Sequence, residues 1–372
     1  MKKTLAALAV LGAFAGSAMA ADVTLYGAVD TGFEYIHTKS TGEKGVDTFD
    51  MQTGWDTPSR WGLKGSEDLG NGYKVSFKLE SGFNSDDGTM GQSNRLFGRE
   101  AGLTLSGPFG SVAFGRFGGI SSSAGTYDML GYVESFDGGD GNVWGFASSS
   151  RYDNMVVYQT PRFAGLQLTA QYSFKTDTKE GDTVGAEYNG DEGTSHAQRY
   201  ASVGLSGEYG PASFAVGYEL TKYGANTNGA RALDKDGQLV FVGGNYDFEV
   251  VQLFAEAQYF KHQTAINAGD DATAELGLGK LGLKGYGLHL GAAAPLAGGT
   301  LTAGLYYVDL SEEAVDQADE DAKYYGVSAR YNYPLSERTS LYAGAGYGQL
   351  KDDDSGNKDQ LTQVYCGLVH TF

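Results

Sequence analysis

The chain has 372 residues, with 27 Lys and Arg against 46 Asp and Glu and a formal net charge of −19 at pH 7. So acidic a chain is a poor partner for nucleic acid, whose phosphates require lysine and arginine. Mean hydropathy is −0.31, and no run beyond residue 20 approaches the roughly 18 apolar residues that a membrane-spanning helix requires.

Residues 1–20 read as a secretory signal. Lys2 and Lys3 precede an apolar stretch from Leu5 to Phe14, and the small residues Ala18 and Ala20 stand before Ala21. The expectation is a signal peptide at 1–20 and one domain at 21–372. Within that domain Tyr73, Val75, Phe77 and Leu79 fall on one face of a strand, and Lys74, Ser76, Lys78 and Glu80 on the other. The alternation returns at Leu166, Leu168, Ala170, Tyr172 and Phe174, and again at Phe214, Val216, Tyr218 and Leu220. Segments of about ten residues with this period have the length a tilted strand needs to cross a bilayer.

Connections alternate in length along the chain. Short turns are read at 68–72, 106–110, 161–165, 209–211, 246–249, 295–299 and 334–337, most with Gly or Pro. Longer polar segments lie near 37–59, 85–93, 118–150, 175–198, 223–237, 263–279, 310–322 and 350–360. Together they predict an all-β chain, a transmembrane antiparallel barrel of about sixteen strands with room for an aqueous channel. The last strand, Leu361–Phe372, is expected to pair with Val23–Ile36 and close the cylinder. The 57 glycines, 25 tyrosines and 19 phenylalanines suit tight turns and aromatic girdles. Lone Cys366 cannot form an internal disulfide, and its parity with Val364, Leu368 and Phe372 puts it on the outer face. A soluble β-sandwich or propeller is the competing reading, but it buries one face of its strands in a protein core.

Three motifs then carry a family resemblance. Val23–Gly27, the run Ser59-Arg60-Trp61-Gly62-Leu63-Lys64-Gly65-Ser66-Glu67-Asp68-Leu69-Gly70-Asn71-Gly72, and the ending Gly367-Leu368-Val369-His370-Thr371-Phe372 resemble the Gram-negative general porins, especially the neisserial-type branch. The resemblance implies a sixteen-stranded, homotrimeric outer-membrane barrel. It also implies passive diffusion of small hydrophilic solutes and ions through each monomer. Phe372 resembles the signal read by the outer-membrane assembly machinery.

Residues 118–150 form a connection long enough to be functional. They resemble the third loop of general porins, which folds inward and narrows the pore. Glu134 and Asp137 match the acids of that loop. Arg60 and Arg151 are expected to point inward from the wall, Arg60 on the polar face with Gly62 and Lys64, Arg151 with Asp153 and Gln159. Arg99 matches the remaining member of the family's basic cluster. Simple alternation groups it instead with Ala101, Leu103 and Leu105, so either a β-bulge shifts the parity or the match fails. Acids and bases facing each other across a narrow aqueous gap would create a transverse field that favours polar solutes. Arg116 shares parity with Val112 and Phe114 and should lie outward. A carboxylate of a neighbouring subunit, Asp86 or Asp87, is its expected partner, and snorkelling toward headgroups is the alternative.

No catalytic constellation stands out. His37, His196, His262, His289 and His370 lack metal-ligand spacing, and the serines at 121–123 and 148–150 lie in a Gly-rich segment. No metal or cofactor is expected, and the chain is read as not an enzyme. An outer-membrane hydrolase and an adhesive or structural barrel remain alternatives. The acidic runs around Glu312–Asp321 and Asp352–Asp354 are read as solvated surface that divalent cations would bridge to lipopolysaccharide.

Overall fold

The computed structural model describes residues 23–122, 125–133, 136–137, 143–178, 190–225, 233–267, 282–312 and 320–372. The signal segment and Glu134 lie outside them. The strands are β1 (Thr24–Ser40), β2 (Val46–Gln52), β3 (Arg60–Gly70), β4 (Tyr73–Gly82), β5 (Glu100–Gly107), β6 (Gly110–Gly118), β7 (Arg151–Gln159), β8 (Leu166–Ser173) and β9 (Arg199–Tyr209). They continue as β10 (Ala212–Lys222), β11 (Gly237–Asp247), β12 (Gln252–Gln263), β13 (Leu283–Leu296), β14 (Gly299–Glu312), β15 (Glu320–Ser336), β16 (Thr339–Asp352) and β17 (Lys358–Thr371).

All of them join one antiparallel sheet, and β1 pairs with β17 from Ala28↔Thr371 to Ser40↔Asp359. Gly27 and Phe372 exchange two main-chain hydrogen bonds of 3.0 Å at the seam. The ring therefore closes on itself, as the alternation and the last strand required, while β2 pairs with β1 alone among the described strands. Its seventeen segments make sixteen staves, because β2 and β3 lie end to end against the two halves of β1. This corrects the expectation of a loop over 37–59: strand pairing continues to Ser40↔Asp359 and Thr38↔Val46, and only residues 53–59 leave the ladder.

The tight turns fall where Gly and Pro placed them. Asn71 and Gly72 both have positive φ, 54° and 80°, the geometry of the two-residue hairpin turn that suits the twist of flanking strands. Alternation also sorts the faces. Phe114, Val364 and Leu368 are exposed on the outer face, where Cys366 is exposed too, while Ala113, Phe117, Tyr365 and Val369 turn inward and are buried.

Between β6 and β7 the register slips at Gly115/Phe117, and Asn154 takes φ 51°. The resulting bulge turns Tyr152 inward, where its ring lies 4.3 Å from that of Tyr200. Strict alternation had placed Tyr152 on the other face.

The interior is occupied by the described residues of the segment between β6 and β7, 119–122, 125–133, 136–137 and 143–150. Ile120, Met129, Val133, Val143 and Phe146 are buried against wall residues such as Phe241, Phe260 and Leu310. Glycines make the seat. A Cβ at Gly243 would stand 2.7 Å from Val133, one at Gly287 2.7 Å from Phe146, and one at Gly204 would fall on the Met129 sulfur. A single buried carboxylate clasps both ends of the segment: Glu219 accepts from the Ser121 amide (3.0 Å), the Ser149 hydroxyl (2.9 Å) and Tyr200 (2.8 Å). Ser121 and Ser149, one from each serine cluster, thus form a clasp. At the tip, the Tyr132 carbonyl accepts from Ser213 (2.7 Å) and Asn245 (2.9 Å), and its hydroxyl accepts from Arg162 in the short turn after β7 (2.8 Å). The segment enters at the long-loop end of the barrel and reaches the short-turn end.

Filling the seat should loosen this segment without opening the ring. Gly204→Leu and Gly287→Leu each overpack the contact, a cost of about 1–3 kcal/mol. Limited proteolysis in detergent should then cut within residues 118–150 while the barrel keeps its heat-sensitive compact migration on a gel. Equal protease resistance of variants and wild type would contradict the seat.

Candidate functional site

The lumen holds a cavity of about 1020 Å³ that gathers four of the five residues expected at the constriction. Arg60, Arg99 and Arg151 line it, and so does Asp137. The structure adds Lys78, Glu80, Asp56, Asp128 and Arg330 to the same lining.

The basic wall is built on paired positions of adjacent strands. Tyr26, Gly62, Glu80 and Glu100 stand side by side across β1, β3, β4 and β5, so their side chains share the inward face. Glu80 lies at the centre. Its Oε1 accepts from Arg99 Nε at 2.7 Å, while its Oε2 accepts from Tyr26 at 2.8 Å and lies 3.7 Å from Lys78 Nζ and 4.0 Å from Arg60 Nε. Lys78 also donates to Glu100 at 2.8 Å. Two buried carboxylates therefore organise three of the cations. Buried charges persist where such partners hold them, and each charge-assisted bond contributes about 1.5–3 kcal/mol.

Arg99 reaches this cluster even though alternation grouped it with outward residues. It precedes the first ladder pair of β5, Glu80↔Glu100, so the two-residue rule does not govern it, and no bulge is needed. Arg151 opens β7 beside Gly118, where the chain leaves the wall, and it has no carboxylate within salt-bridge distance among the described residues. Its charge is the least neutralised of the three.

Arg116 has a partner in its own chain. Its Nη1 donates to Asp153 at 2.6 Å and its Nε to the Gly98 carbonyl at 2.7 Å. The bulge at Asn154 puts Asp153 on the outward side with Arg116, which corrects its expected place beside Arg151. Arg95 lies 3.3 Å from Asp153 and also pairs with Asp177, so the node ties residues 95 and 177 to the outer wall. A carboxylate from another subunit is not required to satisfy Arg116. Asp87 is engaged locally, accepting from the amide (2.8 Å) and hydroxyl (2.7 Å) of Thr89.

Asp56 and Arg330 were missed because each looked ordinary in its own context. Arg330 alternates with Tyr324, Ser328 and Asn332 on the inward face of β15, a signal that could have found it. Asp56 sits in a stretch that reads as an exposed loop. Asp128 lies on the third loop, with Oδ1 accepting from the Leu130 amide at 2.7 Å. Burial pushes its carboxyl up to about 6.

Comparison with known proteins places this geometry. A family profile described as Gram-negative porin matches residues 6–354. An outer membrane porin protein of Bordetella pertussis is 34% identical over the whole of both chains. Outer membrane porin protein 32 of Delftia acidovorans is 32% identical, covering 99% of this chain and 95% of that one. The major outer membrane protein P.IB of Neisseria gonorrhoeae is 29% identical over the full length of both. Among solved structures, the anion-selective porin from Comamonas acidovorans superposes with a TM-score of 0.66 at 25% identity, covering 95% of this chain and all of that one.

Asp128 gives the lumen a pH dependence whose sign follows from its raised carboxyl. Above pH 6 it contributes a negative charge, and as pH falls through about 6 it takes up a proton and that charge is lost. Between pH 7.5 and 5 the reversal potential across a salt gradient should therefore move toward anions. Asp128→Asn should remove the step and hold the low-pH value throughout. A step of undiminished size in the variant would assign the titration elsewhere.

Proposed function

Because this chain belongs to the Gram-negative porin family and is an outer-membrane diffusion channel, we propose that Arg60, Lys78, Arg99 and Arg151 form the basic side of its solute filter. Asp137 and Asp128 form the acidic side. The observation that carries this reading is one cavity lined by both sets, with the third loop seated in the lumen beside it. Glu134, outside the described residues, is proposed to join the acids.

The physical argument is one of local charge. Charges on walls of low dielectric around a narrow aqueous gap focus their field across it and raise the local concentration of counter-ions. Glu80 and Glu100 offset part of the basic wall, but four cations face two carboxylates there. The solved relative from Comamonas acidovorans is described as anion-selective. We assign this chain the same preference at its narrow part.

The remaining elements of the reading concern assembly. Residues 1–20 serve as a cleaved signal peptide, Phe372 as the mark read by the assembly machinery, and three copies associate in the membrane. A structural neighbour, the outer membrane protein OmpT of Vibrio cholerae, has been described in a trimer form, with a TM-score of 0.58 and 16% identity. Arg116, Asp86 and Asp87 remain proposed contributors at the subunit boundary, with Arg116 acting through the node it forms with Asp153.

Single-channel recording of the purified protein in planar bilayers tests the filter. Wild type should show steady ohmic conductance with a reversal potential on the anion side. Arg151→Gln should lower the anion-to-cation ratio about tenfold, because one unit charge acting through water over roughly 6 Å favours an anion and disfavours a cation about threefold each. Arg99→Gln should do less, since Glu80 already offsets Arg99. An unchanged ratio in Arg151→Gln would remove that residue from the filter.

A further inference from the structure

Residues 53–59 break the ladder in a way the barrel does not need. Along β1 the pairing advances four residues, from Ala28 to Gly32, while the partner advances eight, from Arg60 to Gln52. The break thus carries four surplus residues. An even surplus leaves parity intact, so β2 and β3 keep the same inward face, and the extra chain must go somewhere. It goes into the lumen, where Gly54, Trp55, Asp56 and Pro58 line the cavity.

The segment is held as firmly as the third loop. The buried Asp30 carboxylate accepts from the amides of Asp56 (2.9 Å) and Thr57 (2.8 Å) and from the Tyr342 hydroxyl (2.6 Å). Trp55 is buried and stacks on Tyr365, with ring centroids 4.8 Å apart and planes 16° apart. Asp56 then meets β15, three staves along the ring from β1: its Oδ1 lies 3.2 Å from Arg330 Nε and accepts from Asn332 at 2.7 Å. The other side of Arg330 faces the third loop, its guanidinium 5.1 Å above the Phe136 ring. Arg330 is the point where both inserted segments meet.

We propose that residues 53–59 are a second inserted constriction element, joined to the third loop at Arg330, and that Asp56 sets how much of the Arg330 charge a passing anion meets. This rests on the reading of the lumen as a solute filter and extends it to residues on another segment. Main-chain amides fixed by one buried acid make a rigid boundary, unlike the mobile tip of an ordinary loop. A carboxylate 3.2 Å from a guanidinium cancels most of its field along the solute path.

The test uses the full-length protein in planar bilayers, with wild type and Arg151→Gln measured alongside. Excision of Trp55–Pro58 removes the surplus and restores a continuous strand in register, so the ring should still close, and its conductance should exceed that of wild type. Asp56→Asn should raise the anion-to-cation ratio about tenfold by uncovering Arg330, a readout that a merely structural role would not move. Unchanged conductance in an excised barrel that keeps its heat-sensitive migration would overturn the proposal, as would an unchanged ratio in Asp56→Asn. If the excised chain does not assemble, Trp55→Ala takes its place, with higher conductance expected and unchanged conductance overturning the idea. A shifted ratio in Arg151→Gln with none in Asp56→Asn would leave the filter standing and sink only the second element. A wild-type protein that does not conduct would overturn both.

Discussion

Everything in this molecule depends on satisfying main-chain hydrogen bonds where no water can reach them. In hydrocarbon an unpaired amide or carbonyl costs several kcal/mol, so a sheet that crosses the membrane must close on itself. The seam between β1 and β17 does this over thirteen consecutive residue pairs and ends in the reciprocal bonds of Gly27 and Phe372. Once the ring is closed, period two follows: each residue faces either lipid or lumen, and the apolar members of the alternation become a membrane surface rather than a core. Sixteen staves also enclose more space than wall side chains can fill. The width of the passage is then decided by what chain is placed inside.

The two inserted segments use the same device. Glu219 and Asp30 are buried acids on inward strand positions, and each accepts from a wall tyrosine, Tyr200 or Tyr342. Each also accepts from main-chain amides of the segment it holds, Ser121 in one case and Asp56 and Thr57 in the other. A carboxylate suits this task because it offers several acceptor sites and its bonds are charge-assisted. Breaking one partner would strand a buried charge, so the penalty for release is larger than the bonds themselves would suggest. Apolar packing completes both attachments, with Trp55 on Tyr365 and the third loop on its glycine seat.

The barrel was legible in the sequence because its signals are local. Alternation over β4, β8 and β10, the Gly and Pro turns and the aromatic content all report on residues a few positions apart. The inward aim of Arg60 followed from the same rule, whereas Arg151 reaches the cavity from the end of β7, beyond the bulge that reverses the parity. What the rule could not read were departures from it. The bulge at Asn154 moves Asp153 to the outer side, and nothing in the string Arg-Tyr-Asp-Asn-Met marks the slip. Residues 53–59 read as loop because Gly-Trp-Asp-Thr-Pro suits a loop, and their burial rests on Asp30 and Arg330, which lie far away in sequence. Arg99 shows the converse, since its place in the basic cluster was implied by the family resemblance and opposed by alternation, and its bond to Glu80 was foreseen by neither.

The acidity that dominates the composition and the basic wall that lines the cavity act at different ranges. Asp353, beyond the end of β16, is held by Lys323 and by Lys351 at 2.7 Å, and those bonds keep its carboxyl below the ordinary range. Such loop charges stand in open solvent and are partly matched by their neighbours, so their field decays within a Debye length of about 8 Å at physiological salt. Charges at a constriction lie within a few ångströms of any solute that passes, and low-dielectric walls keep the field in the gap. Raising the salt therefore weakens the influence of the mouth before that of the filter. On the proposed filter, an acidic chain presents an anionic surface to the outside and a cationic step within, set by a small minority of the residues that carry its net charge.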